Sequence, residues 1–280
     1  MSHLSIAAAN SRIVRLPALK PVVLQVLASF ERPELDIDSI VNELARDQTL
    51  SARVLRLANS SFYGLQTRIA TLHDAVMVLG FRHIRATVAA VAVTECFTDK
   101  HLPSFDFPAF WRHAAAVGLA ARTIAAILGR PGEVAFLAGL LHDIGVLVLL
   151  SSFPEHSECV FDHAERDHCL IIDAEHDVIG IDHAMIGEAL AERWKFPAPI
   201  RLAIGAHHLP DAQPADSLAN IVHLADVMVH AMGISDPVDE LVPPLSDIAF
   251  NRLGLDMEDL RRVMREVETR IGPLCQALHG

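Results

Sequence analysis

The chain has 280 residues, 51% of them hydrophobic, and 23 Lys+Arg against 35 Asp+Glu give it a formal charge of −12. That length holds one large or two small domains with ample core, and so acidic a balance argues against broad binding to a nucleic-acid backbone. Aromatics are scarce at 5%, while Ala, Leu, Val and Ile abound, which favours close-packed helices over a β-sandwich.

The first twenty residues lack the charged start and apolar core of a secretory signal. The first hundred residues read as consecutive short helices. Ile37, Ile40, Val41 and Leu44 repeat at helical spacing behind the acidic cap candidates Asp36 and Asp38. A second helix, from about Thr49, carries Leu50, Val54 and Leu57 inward and ends at Asn59-Ser60-Ser61, before a turn at Tyr63-Gly64. A third opens at Thr71 with Asp74 three residues on, a capping-box pattern, and stops at Gly80. A fourth, roughly Arg82 to Phe97, is Ala- and Val-rich and must be mostly covered.

The helical pattern breaks over residues 99–104, the best internal boundary, and divides a 1–105 helical subdomain from a 106–235 core, with 236–280 as a C-terminal loop and helix. In the core come a helix containing His113 and then the most apolar stretch, Val134 to Phe153, read as a helix carrying His142. Its polar interruptions make it a buried helix rather than a membrane span. A polar, partly helical stretch runs from Glu155 to Asp177, followed by helices carrying His183, His207 and Asp226, a loop from Asp236 to Pro244 and an amphipathic helix over 256–271. That last helix turns Leu260, Val263, Met264, Val267 and Ile271 inward and is expected to cap its own chain. No strand pattern is found, so the fold class is all-α. Cys96, Cys159, Cys169 and Cys275 show no CxxC pairing, as suits reduced thiols and a cytoplasmic location.

Seven polar residues within the apolar stretches carry the chemistry: His113, His142, Asp143, His183, His207, His208 and Asp226. Imidazole and carboxylate are costly to bury unpaired, and a metal ion is the partner that satisfies several at once. Ile200, Ala203, Ile204, His207 and His208 share an inward stripe, His183 shares a face with Ile186, Gly187 and Leu190, and Asp226 lies among Val222, Ala225 and Val229. His142 and Asp143, about 100° apart on a helix, can serve one metal while the carboxylate reaches a second. N/O ligation without Cys suits Fe, Mn, Zn or Ni, with two ions sharing Asp143. His223 and His230 face partly elsewhere and are not counted as ligands, and His163, His168 and His176 are expected on the surface. Arg46, Arg53, Arg56, Arg82 and Arg85 read as a solvated helix face, with an anion or partner surface as the alternative.

The ordered set His … His-Asp … His … His-His … Asp resembles the HD superfamily of metal-dependent phosphohydrolases, and its ligand order is similar to that of HD-GYP cyclic-dinucleotide phosphodiesterases. Leu16-Pro17-Ala18-Leu19, the segment 46–60 with its Arg-Leu-Ala-Asn-Ser run, Ala75 to Gly80, Leu141-His142-Asp143-Ile144-Gly145, and Asp182 to Gly187 with Trp194 resemble the HDOD (HD-related output domain) branch, over roughly residues 12–232. The resemblance implies an N-terminal helical bundle packed on an HD-like helical core in a bacterial signalling protein. It implies one metal site from His113, His142, Asp143 and Asp226, and a second from Asp143, His183, His207 and His208. HD-GYP enzymes carry a Lys where this chain has Val146, and Leu209-Pro210-Asp211 replaces their Gly-Tyr-Pro motif. Electrophilic help would have to come from Arg112 or Arg201. The expected function is therefore a signal-transduction module with a metal-competent core, working through signalling protein partners or a phosphorylated small molecule. The alternative is a metal-dependent phosphohydrolase in which Asp143 bridges metals and helps activate water.

Overall fold

The computed structural model describes residues 3–32, 36–97, 105–234 and 241–279, and among them no strand occurs. Local chemistry sets most helix starts. α1 (Ile6–Ile13) is capped by Ser5, α2 (Pro21–Ala28) opens on Pro21, α3 (Ile37–Arg46) is capped by Asp36, and α4 (Gln48–Ala58) by Asp47. α5 (Leu72–Leu79) has the full reciprocal box between Thr71 and Asp74. Gly80, at φ 83°, then turns the chain into α6 (Phe81–Glu95), whose Ala- and Val-rich middle is buried.

The second half begins with α7 (Phe107–Ile127), capped by Asp106, and continues through α8 (Gly132–Leu141), α9 (Ile144–Ser152), α10 (Pro154–Asp167) and α11 (Ile171–Val178). It is completed by α12 (His183–Arg193), α13 (Ala198–Ala206), α14 (Leu218–Ala231), α15 (Asp247–Leu253) and α16 (Met257–His279). α2 to α6 pack on one another, and α6 leans on α8. α7 packs along α8, α14 and α16, while α12 packs on α9 and α13. The N-terminal segment crosses to this second group. α1 packs on α12 and α9, the Leu4 N–H donates to Ile179 O (2.7 Å), and Trp194 Nε1–H donates to Pro17 O (3.2 Å).

Two close helix crossings rest on glycine. A Cβ on Gly139 would sit 2.8 Å from Val117 O, and one on Gly145 would sit 1.9 Å from His183 O. Only a bare Cα lets α8 meet α7, and α9 meet α12, at these separations.

Several sequence expectations change. The stretch Val134–Phe153 is not one helix; it is divided between α8 and α9 at His142 and Asp143. The run Gly132–Ser152 is apolar and long enough to cross a membrane, yet 78% of its most apolar window is buried inside the fold. α15 was not anticipated, because Ser246 caps a helix only seven residues long, too short for a clear periodic signal. The final helix runs to His279 through Pro273 rather than stopping at residue 271, and Met264 is 39% exposed instead of inward. The boundary expected at 99–104 lies outside the described residues, as do residues 236–240 of the Asp236–Pro244 loop; residues 241–244 have no regular structure.

Candidate metal centre

The break between α8 and α9 creates the centre. His142 keeps helical backbone (φ −56°, ψ −39°), whereas Asp143 relaxes to φ −96°, ψ 14° before α9 begins. On a continuous helix neighbours diverge by about 100°; the break lets His142 Nε2 and Asp143 Oδ2 converge to 3.1 Å. The sequence expectation that the pair sits within one helix is thus corrected. His207 caps α13 with helical backbone (φ −66°, ψ −27°) and continues its buried stripe, and His208 follows it. His183 is the first residue of α12, whose N-terminus is held by the Asp182 side chain on Met185 N–H, and the Gly145 crossing brings it to Asp143. His113 comes from α7 and Asp226 from the buried middle of α14.

These elements bring all seven residues of the sequence-derived set together. Asp143 Oδ1 lies 3.2 Å from His183 Nε2 and 3.4 Å from His207 Nε2, and His208 Nε2 lies 2.9 Å from His183 Nε2. Asp226 Oδ1 lies 3.1 Å from His113 Nε2 and 3.5 Å from His142 Nε2, and His113 Nε2 is 3.3 Å from His142 Nε2. Three groups emerge whose donor atoms lie within 4.8 Å of one another: Asp143, His183, His207 and His208; His113, His142 and Asp143; and His113, Asp226 and His230. His230, set aside on sequence grounds, therefore belongs here, with its Nε2 at 3.3 Å from Asp226 Oδ1. The signal was available, since Asp226 and His230 stand four apart on one helix and share a face.

The far nitrogens of three rings are already committed. His142 Nδ1 donates to Gly139 O (2.7 Å), His207 Nδ1 to Ile204 O (2.7 Å), and His183 Nδ1 to the Glu175 carboxylate (2.7 Å). Each ring is thereby oriented with Nε2 facing Asp143, the arrangement by which a protein presents imidazole to a metal. Glu175, only 2% exposed, also accepts from the His183 backbone N–H (2.9 Å). Glu175 belongs by composition to the polar stretch from Glu155 to Asp177, although it falls on the apolar stripe of Ile171, Ala174 and Val178.

Two atoms test whether a cation suits the centre. His207 Nε2 and Asp226 Oδ1 are buried and make no hydrogen bond of acceptable geometry, even with opposing groups at 3.1–3.4 Å. Such spacings are the edges of a coordination polyhedron with metal–ligand bonds of about 2.0–2.2 Å. Burial would raise the carboxyl of Asp143, but His142, His183 and His207 hold it well below the usual range; His113, His142 and His230 do the same for Asp226. Burial lowers His142 and His183, yet Asp143 lifts the first to about 10, and Glu175 with Asp143 lifts the second well above an ordinary histidine. His207 and His208 are pushed down, chiefly by burial. Anionic oxygens thus face ring nitrogens across gaps that require a proton or a cation, and the donor set fits a divalent metal.

Residues around the centre have other duties. His223 Nδ1 donates to His207 O (2.7 Å) and its Nε2 accepts from Ser246 N–H (2.9 Å), leaving no nitrogen for a metal. Beyond His208, the segment 210–212 forms a short 3-10 turn held by Ser246 on Asp211 and by Arg252 on the carbonyls of Asp211 and Gln213. Arg201 is occupied by Glu192 (3.1 Å), and the charge of Arg112 acts on the Cys275 thiol, opposing the upward push of burial. His168 and His176 are exposed; His163 is less so and sits between Asp167 and Asp177. Arg85 departs from the solvated face expected of it, since it donates to Ser29 O and stacks on Phe30.

Comparison with known proteins agrees with this architecture. A protein of Treponema pallidum with no assigned function is 28% identical over 263 residues, covering 90% of this chain and 49% of its own length, so the chain spans about half of that relative. The crystal structure of an HDOD domain protein of unknown function from Geobacter sulfurreducens superposes with a TM-score of 0.78 at 25% identity, covering 98% of each chain. A candidate phosphohydrolase from Shewanella amazonensis gives a TM-score of 0.78 at 28% identity, over 97% of this chain and 98% of its own. The family profile described as the HDOD domain matches residues 16–210, from the Leu-Pro-Ala-Leu segment to just beyond the His-His pair, and the chain belongs to the HDOD domain family.

Proposed function

We propose that the chain is a metal-loaded bacterial signalling module whose helical core is held in its working shape by divalent metal at the His/Asp centre. The observation that carries this reading is the common orientation of His142, His183 and His207, each with Nδ1 bonded away and Nε2 turned to Asp143. His183, His207, His208 and Asp143 would hold one ion, and His113, His142, Asp226 and Asp143 a second, with His230 beside it. Nitrogen and carboxylate ligands without thiolate suit Fe, Mn, Zn or Ni. The remaining surfaces would engage a signalling protein partner or a phosphorylated small molecule, and the free thiols of Cys96, Cys159 and Cys169 accord with a reducing cytoplasm.

Phosphoester hydrolysis is the second reading, favoured by one observation. The Asp143 side chain keeps 19% exposure, so the centre has an accessible edge. When bound there, a divalent ion lowers the pKa of water and polarises phosphoryl oxygen. Asp143 would position that edge, and His142 and His183 would hold the ion through Nε2, with Nδ1–H kept on Gly139 O and Glu175. Against turnover stand Val146, which offers no cation to phosphate, and the turn at 210–212, which α15 holds in place.

Metal analysis of the purified chain and of Asp143→Ala, paired with hydrolysis of bis(p-nitrophenyl) phosphate, separates the readings. The signalling reading expects bound metal in the parent, its loss in the variant, and hydrolysis no faster than the metal-stripped control. Hydrolysis that Asp143→Ala abolishes would establish the enzyme, and a parent chain that takes up no divalent metal would overturn both.

A further inference from the structure

One open concavity shares no lining residue with the metal centre. It is a groove of about 1210 Å³ between the end of α4, the segment 59–70 and the last turns of α16. Its volume exceeds the roughly 300–1,000 Å³ of a typical small-molecule pocket. The lining residues include no Asp or Glu, in a chain where acidic residues outnumber basic ones 35 to 23. They do include Arg56 and Arg68, both exposed, and neither has a carboxylate within ion-pair distance among the described residues. Ser61, Gln66, Thr67 and Gln276 line the same groove, and their side chains make no hydrogen bond within the described residues.

The groove is also held in shape. Asn59 Nδ2 donates to Leu55 O and Ile69 O (2.8 Å each), and Asn59 Oδ1 accepts from the Ile69 N–H (2.7 Å). Those bonds close the segment 60–68 into a fixed loop. The Ser60 hydroxyl donates to Leu57 O (2.6 Å). Asn59 and Ser60 thus add side-chain bonds to carbonyls of α4 that already accept from the Asn59 and Ser60 backbone N–H groups, and so fix the C-terminal turn of that helix. Two uncompensated guanidiniums, uncommitted hydroxyls and amides, and a preorganised loop suit a ligand that carries phosphate on a body large enough to reach both walls.

We propose that this groove is a binding site for a phosphorylated small molecule of nucleotide size, with Arg56 and Arg68 on its phosphates and Ser61, Gln66, Thr67 and Gln276 as further polar contacts. The site is separate from the metal centre and does not depend on metal being bound there.

The test is calorimetric titration of the metal-analysed parent chain and of the Arg56→Gln/Arg68→Gln double variant with ATP, GTP and pyrophosphate, using adenosine and guanosine as uncharged controls. Both arginines are exposed, so the variant should fold and carry the parent's metal content, which circular dichroism and metal analysis verify. The expected result is saturable binding of at least one nucleotide, weakened about tenfold or more per arginine removed and weakened again by rising salt. A parent chain that binds no phosphorylated probe would overturn the proposal. So would equal affinity in the double variant, or uncharged nucleosides binding as tightly as their phosphates.

Discussion

Glu175 accepts two hydrogen bonds from His183, one from the backbone N–H and one from Nδ1, and so fixes which nitrogen of that ring faces Asp143. Removing its charge with Glu175→Gln should leave the fold intact and lower metal affinity by about 10- to 100-fold, read by chelator competition. Proton balance at the centre gives a second prediction. In the metal-free chain His142 is raised to about 10 by Asp143 against the opposing effect of burial, so at neutral pH a proton stands where a metal would bind. Metal uptake should therefore release protons, measurable by calorimetry in buffers of different ionisation enthalpy, and affinity should rise with pH. The stability sign follows from the same shift. His142 titrates higher when folded than when unfolded, so its contribution is complete below the unfolded value of about 6.5 and is lost as pH climbs toward about 10. Thermal melts of stripped protein should fall across that window, and melts of metal-loaded protein should not follow this course.

Helix ends and helix crossings respond differently to substitution. The Thr71–Asp74 box sits at an exposed terminus, so Thr71→Ala should cost about 1 kcal/mol in denaturant unfolding and leave metal content unchanged. Gly145→Ala is another matter, because the added methyl would meet His183 O at 1.9 Å. α9 and α12 would have to part, at a cost of about 1–3 kcal/mol or more, and His183 would move off Asp143. Loss of metal with that substitution, alongside retention in Thr71→Ala, would show that the crossing positions the centre. At this scale much was legible in advance. Asp36, the Thr71–Asp74 box and Gly80 announced their helices through side-chain chemistry that acts within four residues. The division at His142–Asp143 was not legible, because the residues on both sides are almost uniformly apolar and so carry no periodic pattern that a break could interrupt.

Distant segments of the molecule are tied by contacts that no local pattern announces. α1 lies against α12, Trp194 reaches back to Pro17, and α16 covers α7 with Val263, Val267 and Leu274 fully buried. Val267→Asp should place an unpaired charge in that seam and lower the melting temperature of the whole chain rather than fray its end, observable as a single shifted transition by calorimetry. What the amino-acid sequence determined alone was the all-helical class, the caps of α3 and α5, and a set of His and Asp residues whose apolar flanks forbid solvation. Those properties depend on neighbours in the chain and on the cost of burial. Tertiary structure decided the rest: that His142 and Asp143 converge across a helix break, that Glu175 orients His183, that His230 joins Asp226, and that α4 and α16 enclose a groove without carboxylates. Each is a meeting of side chains from different turns or helices, and packing alone sets such distances.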